Sequence, residues 1–147
     1  MSYALTRWLA VSQDRRGGGN YAPGAVAWSQ RIGGDINLLT ERTANSEALL
    51  AKAITEAIKE ALIDHDLVGR PKILFIVPHT MERYLNELLP RWREAGAWTR
   101  PDGKIWHEFD SAWALIYGEL LKARDEDDLE ELARLLAAAR SAAKRVA

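Results

Sequence analysis

The chain has 147 residues, enough for one domain with its own core, and 48% of them are hydrophobic. Lys plus Arg number 20 against 21 Asp plus Glu, so the net charge is −1 and any phosphate-binding surface has to be a local patch rather than a basic face. Cysteine is absent, which excludes a disulfide framework, a thiolate metal site and a cysteine nucleophile.

The N-terminus shows no long apolar stretch with a cleavage site. The longest apolar runs, such as Ile73 to Pro78, fall far short of the ~20 residues a bilayer requires. We therefore expect one soluble domain over residues 1–147, with no membrane segment and a cytoplasmic location.

In chain order, Tyr3 to Val11 alternates β-prone residues and reads as a strand. A polar turn from Ser12 to Asn20 follows, with three consecutive glycines. A second strand is expected from about Ala25 to Arg31, a tight turn at Gly33-Gly34, and a third strand from Asp35 to Glu41. Short connections of this kind predict an antiparallel meander.

Leu49, Leu50, Ala53, Ile54, Ala57, Ile58, Ala61 and Leu62 then recur at helical spacing, with Thr43, Asn45 or Ser46 as the cap. Gly69-Arg70-Pro71 leads into Lys72–Val77, a short apolar run that reads as a strand buried on both faces. Strand, helix, strand implies a parallel pairing through a right-handed crossover. Thr80 is suited to cap a helix from Met81 toward Ala95, kinked or divided at Pro90. A loop is expected from Trp98 to His107, a helix from Phe109 to Ala123, and a final helix from the acid cluster at Asp125 to the C-terminus. The fold class is α/β: a mixed sheet of a three-stranded meander plus at least one parallel strand, and a helical C-terminal half.

Three local sequences carry a family resemblance. Gly24-Ala25-Val26-Ala27-Trp28 after a Gly-rich turn, Thr43-Ala44-Asn45-Ser46-Glu47 opening the first helix, and Leu89-Pro90-Arg91-Trp92-Arg93-Glu94-Ala95-Gly96-Ala97-Trp98 together resemble the type 1 ribonuclease H family. The last of these is similar to the basic protrusion of some members. The resemblance implies a ribonuclease H-like fold and a cut made by two divalent cations, Mg²⁺ or Mn²⁺, held by clustered carboxylates. It places an Asp on the first strand, a Glu on the first helix, an Asp after the buried strand and an Asp near the final helix.

This sequence departs from that pattern. Asp14 lies beyond the first strand, and Glu47 sits about one residue early; these two are the candidate metal ligands. His79 stands where the family's third acid would be. Glu130 is the nearest match to the fourth, in a Glu130-Glu131-Leu132-Ala133-Arg134 stretch. Each has a structural alternative: a turn aspartate, a helix-dipole glutamate, a loop histidine and N-terminal helix acids. The family's fifth strand has no obvious place between Leu120 and Asp125. The residues thus favour a nucleic-acid-binding member with a degenerate site. The alternatives are a divergent nuclease using Asp14, Glu47, His79 and an acid from Asp127 to Glu130, Glu130 foremost, on RNA–DNA hybrids, and a non-enzymatic interaction or oligomerisation domain.

For nucleic-acid contact, the basic-aromatic cluster of Arg91, Arg93, Trp98, Arg100, Lys104 and Trp106 is the main candidate, with Arg15 and Arg16 as a second. Guanidinium groups bind phosphate bidentately and indoles stack on bases. Core packing is preferred for Trp92 and Trp113. RNA–DNA hybrid or duplex is the expected partner, and the Ala-rich C-terminal helix is a candidate homo-oligomer surface. Neither a phosphate-binding Gly-rich motif nor a serine-hydrolase elbow is present. His65, between Asp64 and Asp66, reads as a helix C-terminal partner.

Overall fold

A computed structural model describes residues 4–16, 21–43, 45–64, 69–96 and 98–146. The Gly17–Asn20 turn and His65 lie outside the described residues. The elements are β1 (Leu5–Gln13), β2 (Ala22–Ser29), β3 (Asn37–Thr43), α1 (Ser46–Asp64), β4 (Lys72–Ile76), a π-helical turn (Tyr84–Leu88), α2 (Leu89–Ala95), α3 (Gly103–Trp113), β5 (Tyr117–Leu121) and α4 (Glu126–Val146). The sheet runs in the order β3-β2-β1-β4-β5. β1, β2 and β3 form the predicted antiparallel meander. β4 lies parallel to β1, as the crossover through α1 requires, and β5 lies parallel to β4.

Alternation along β1 divides the core in two. Leu9 and Val11 face α1 and α3, where Leu50, Ile54, Phe75, Trp106 and Phe109 meet. Trp8 and Ala10 face α4, with Ala25, Ala27, Leu135 and Ala139. The alanines on that side let α4 approach the strands closely, and every residue of β2 is buried. α4 thus spends its apolar stripe on the sheet: Leu135, Ala139, Ala142 and Ala143 are buried. The stripe considered as an oligomer surface is covered within the chain, Leu129 alone of its leucines being largely exposed at 59%.

Two sequence expectations need correction. The first concerns the missing fifth strand. β5 is present, at residues expected to be helical, because Leu115 to Leu121 satisfies both a helical and an alternating pattern. Pairing decides: Tyr117 to Leu121 stand beside Lys72 to Ile76, and Tyr117 N–H donates to Pro71 O at 2.8 Å. Gly118 leaves room for the Trp113 ring, since a Cβ there would stand 2.5 Å from it and the ring would have to move.

The second concerns the Trp98–His107 loop, which ends early because α3 begins at Gly103. A Cβ at Gly103 would lie 2.1 Å from Trp98 O, so only glycine fits under that carbonyl. Pro90 acts as expected, by a specific device. Proline has no N–H to continue the α-helical ladder, and the turn before it widens, Leu89 N–H reaching back to Tyr84 O. β2 and β3 also run at Ala22–Ser29 and Asn37–Thr43 rather than from Ala25 and Asp35.

Candidate functional site

Open α/β sheets place their sites beyond the carboxyl ends of parallel strands. Here β4 and β5 end together, with Val77 N–H donating to Leu121 O at 2.9 Å. A cleft of about 470 Å³ opens there, lined among others by Glu47, His79, Glu82, Tyr84 and Lys122. Met81, also in its wall, holds φ +52°, a left-handed conformation that is unusual for a side-chain-bearing residue. Strain of this kind, about 1–3 kcal/mol, persists only where the surroundings impose it.

Glu47 is placed by the first turn of α1. Asn45, one of the three predicted caps, is the one that acts: its Oδ1 accepts from Glu47 N at 2.7 Å and Ala48 N at 3.4 Å. Its Nδ2 donates to Tyr84 Oη at 3.1 Å, tying the cap to the π-helical turn. Burial raises the Tyr84 phenol above its ordinary pKa, and the nearby Glu47 carboxylate adds to the rise. Lys122, Glu82 and Tyr84 were not singled out by sequence; only the β5 strand and the π-helical turn bring them to this cleft.

The other two catalytic candidates stand apart. Asp14 follows Ala10 and Ser12 on α4's side of the sheet and accepts from Arg16, with N···O distances of 2.8 and 2.6 Å. That pairing, reinforced by Lys144 of α4, lowers its pKa. Glu130 is exposed on α4. Among the described residues, no three His, Asp or Glu side chains gather into a metal-binding group.

Asp128, read from the sequence as an N-terminal helix acid with metal ligation as the alternative, and Glu131, seen there only within the family-like stretch, are instead buried. Asp128, 1% exposed, accepts from Trp8 Nε1 at 2.8 Å and from the Arg124 backbone N at 2.9 Å and Nε at 2.8 Å. Arg124 chiefly, helped by Trp8, holds its carboxyl well below the usual range against the opposing effect of burial. Glu131, 2% exposed, accepts from Ser29 Oγ at 2.5 Å, from Gly33 N and from Arg134, and Arg134 is the main cause of its lowered pKa. Asp125 caps α4 through Asp128 N at 2.9 Å. The Glu131–Arg134 spacing is the one sequence signal that foreshadowed any of this.

The basic-aromatic cluster is partly assembled. Trp106 is 0% exposed, stacked on Tyr84 with centroids 4.2 Å apart, so its ring has no free face for a base and it belongs to the core. Trp98 is half-buried, edge-on to Trp92 and 4.9 Å from His107. Arg93 pairs with Asp110 at 2.5 Å, and Arg16 with Asp14. Arg15 bonds Gln13 at 2.8 Å. Arg91 and Lys104 are exposed. Arg100 pairs with Asp102 and lies over the Trp92 ring at 4.4 Å. Trp92 and Trp113 are both half-buried, Trp113 stacking on Phe109 at 5.3 Å, close to the packing role preferred for them.

Arg100 also borders a second cleft, of about 460 Å³, with Arg42, Thr43 and Asn45 at the end of β3. Tyr21, 56% exposed, forms part of its rim. The hydrogen-bonded pair Asn45–Tyr84 stands between the two clefts, since Asn45 lines one and Tyr84 the other. Among the described residues, no helix is long and apolar enough to cross a membrane.

The sequence matches no protein-family profile and no curated protein. Solved structures do match. LC9-RNase H1, a type 1 RNase H with the type 2 active-site motif, superposes with a TM-score of 0.67 at 18% identity, covering 97% of this chain and 74% of that one. The foamy viral protease-reverse transcriptase in complex with dsDNA gives 0.67 at 14% identity, over 96% of this chain and 94% of that one. RNase H1 from the halophilic archaeon Halobacterium salinarum gives 0.56 at 17% identity, over 97% and 99%.

Proposed function

We propose, from the ribonuclease H-like fold that this chain adopts, that it binds nucleic acid without the family's two-metal cleavage. The observation that carries the binding half is the cleft between β3 and the segment before α3. It sets Arg42 and Arg100 beside an exposed tyrosine, together with Glu41 and Asp102; Arg91 on α2 and Lys104 on α3 are exposed outside it. Guanidinium groups at a groove edge take phosphates, and a tyrosine ring offers a stacking surface. An RNA–DNA hybrid or other duplex, read by backbone shape, suits such a patch. The near-neutral total charge makes this a local interface.

The donor set argues against the metal pair. Two cations ~3.5–4 Å apart need several shared carboxylates. The α1 side of the sheet carries Leu9 and Val11 on β1 and Val77 just after β4, in one apolar cluster with Ala48. Glu47 and Glu82 share their cleft with His79 and with Lys122, whose ammonium opposes a second cation. Asp14 is on α4's side with Arg16. The residues present do not fit a pair of Mg²⁺ or Mn²⁺ ions in the family's manner.

The test is binding and cleavage of matched RNA–DNA hybrid, double-stranded DNA and single strands, with and without Mn²⁺. Salt-sensitive binding without cleavage is expected. Absence of salt-sensitive binding to all of them refutes the interface. Metal-dependent cleavage abolished by Glu47→Gln refutes the degenerate site.

A further inference from the structure

Cations from three elements meet where β1 leaves the sheet. β1 runs on into Asp14, whose N–H donates to Pro23 O at 2.8 Å. Pro23 stands opposite Arg42 in the β2–β3 pairing. Alternation along β2 puts both on the face that Ala25 presents to α4. The carboxyl end of α4 arrives at the same place, since Ala142 and Ala143 pack in one cluster with Ala25. Lys144, next along α4, is near enough to Asp14 to help hold its carboxyl below the ordinary range. Arg16 pairs with Asp14 at 2.6 Å and keeps 70% of its side chain exposed.

α4 itself is charged asymmetrically. Its first turn holds Glu126, Asp127 and Asp128, its last turn Lys144 and Arg145, with Arg140 one turn earlier. Such a gradient suits the helix macrodipole. The macrodipole does not account for Arg16 and Arg42, which come from other elements. Arg42, Arg140 and Arg145 are exposed, and among the described residues none of them enters an ion pair. The adjoining acid of β3, Glu41, faces α1 instead and accepts from Lys52 at 2.9 Å. In a chain of net charge −1, this face therefore gathers unneutralised positive charge, with Asp14 already bonded to Arg16.

We propose that this face is a second contact for the phosphate backbone of a nucleic-acid duplex, continuous through Arg42 with the cleft at the end of β3. It rests on the reading that this chain binds nucleic acid, and it extends the footprint around the end of β3 onto α4. Guanidinium groups bond phosphate bidentately, and contacts of this kind hold a backbone without reading its bases. An anionic bilayer suits the face less well. α4 has spent its apolar stripe on the sheet and has none left to insert.

The test is fluorescence anisotropy of a labelled RNA–DNA hybrid several turns long, titrated with the full chain at several salt concentrations. Arg140→Gln, Lys144→Gln and Arg145→Gln together should lower the slope of log affinity against log salt by about two to three. Arg31→Gln, Lys59→Gln and Lys72→Gln together remove the same charge toward the opposite end of the sheet, and should lower it by less than about one. All six side chains are exposed, so circular dichroism and the thermal midpoint should show both triple variants folded.

A parent that binds, with its slope moved no further by the α4 variant than by the far-end variant, overturns this inference and leaves the cleft standing. A parent that binds no nucleic acid at any salt overturns both. Binding to phosphatidylserine vesicles in preference to the hybrid, lost with the same three α4 substitutions, overturns it in favour of a lipid surface.

Discussion

Trp8 on β1 donates its indole N–H to Asp128 on α4 at 2.8 Å, joining residues 120 positions apart in sequence. The same carboxylate receives Arg124, so a central strand, the segment leaving β5 and the first turn of α4 meet on one buried acid. Replacing Asp128 by alanine leaves the indole N–H and the guanidinium without their acceptor. Asp128→Ala is expected to cost about 2–3 kcal/mol in urea unfolding. The exposed neighbour serves as control, and Asp127→Ala should stay within about 0.5 kcal/mol.

Asp128 and Glu131 share a consequence for pH. Both carboxyls are held below their ordinary range in the folded chain, by Arg124 and Arg134 respectively. A depressed carboxylate contributes stability that is complete above its unfolded pKa, near about 4, and is lost as pH falls through the lower folded value. The thermal midpoint should therefore hold steady above about pH 5 and fall progressively below it. Asp128→Asn should flatten that acid limb while lowering the plateau. An acid limb identical in the two proteins would refute the assignment.

Asn45 carries two jobs that substitution can separate. Asn45→Ala removes the cap of α1 and the bond to Tyr84, and should cost about 1–2 kcal/mol. Asn45→Asp keeps an oxygen for the cap and loses the amide donor to Tyr84, so it should recover most of that stability. Equal loss in both variants would show that the Tyr84 bond, rather than the cap, dominates.

Gly103 offers a packing test. A Cβ there meets the Trp98 carbonyl at 2.1 Å, and backbone cannot yield as a flexible side chain does. Gly103→Ala should destabilise by about 1–3 kcal/mol. Gly33, where a Cβ would meet nothing within 4 Å but φ is +74°, should lose only the conformational cost, about 1 kcal/mol.

For nucleic acid, the two cleft arginines should differ. Arg42→Ala is expected to lower the slope of log affinity against log salt by about one. Arg100→Ala should lower it less, because its guanidinium is shared with Asp102 and stacked on Trp92. Trp106→Phe, at a fully buried position, should act on stability rather than on the salt slope. Anisotropy titrations at several salt concentrations, paired with unfolding curves, separate these outcomes.

By itself the sequence determined the meander, the α1 crossover, the buried β4 and the break at Pro90. Those features are local: they follow from alternation, helical periodicity, turn residues and a missing N–H. It also placed Glu47 and His79, which the structure brings to one cleft, because a helix start and a strand end are legible from neighbours in the chain. What only the tertiary structure decided was set by partners far along the chain. β5 became a strand through pairing with β4, Asp128 and Glu131 became buried ion-pair centres through Trp8 and Ser29, and Trp106 became core through Tyr84. Lys122 reached the cleft, and Asp14 stayed away from it, for the same reason. Strand pairing and the face a side chain takes are long-range choices, and one residue of register moves an acid from one side of a sheet to the other.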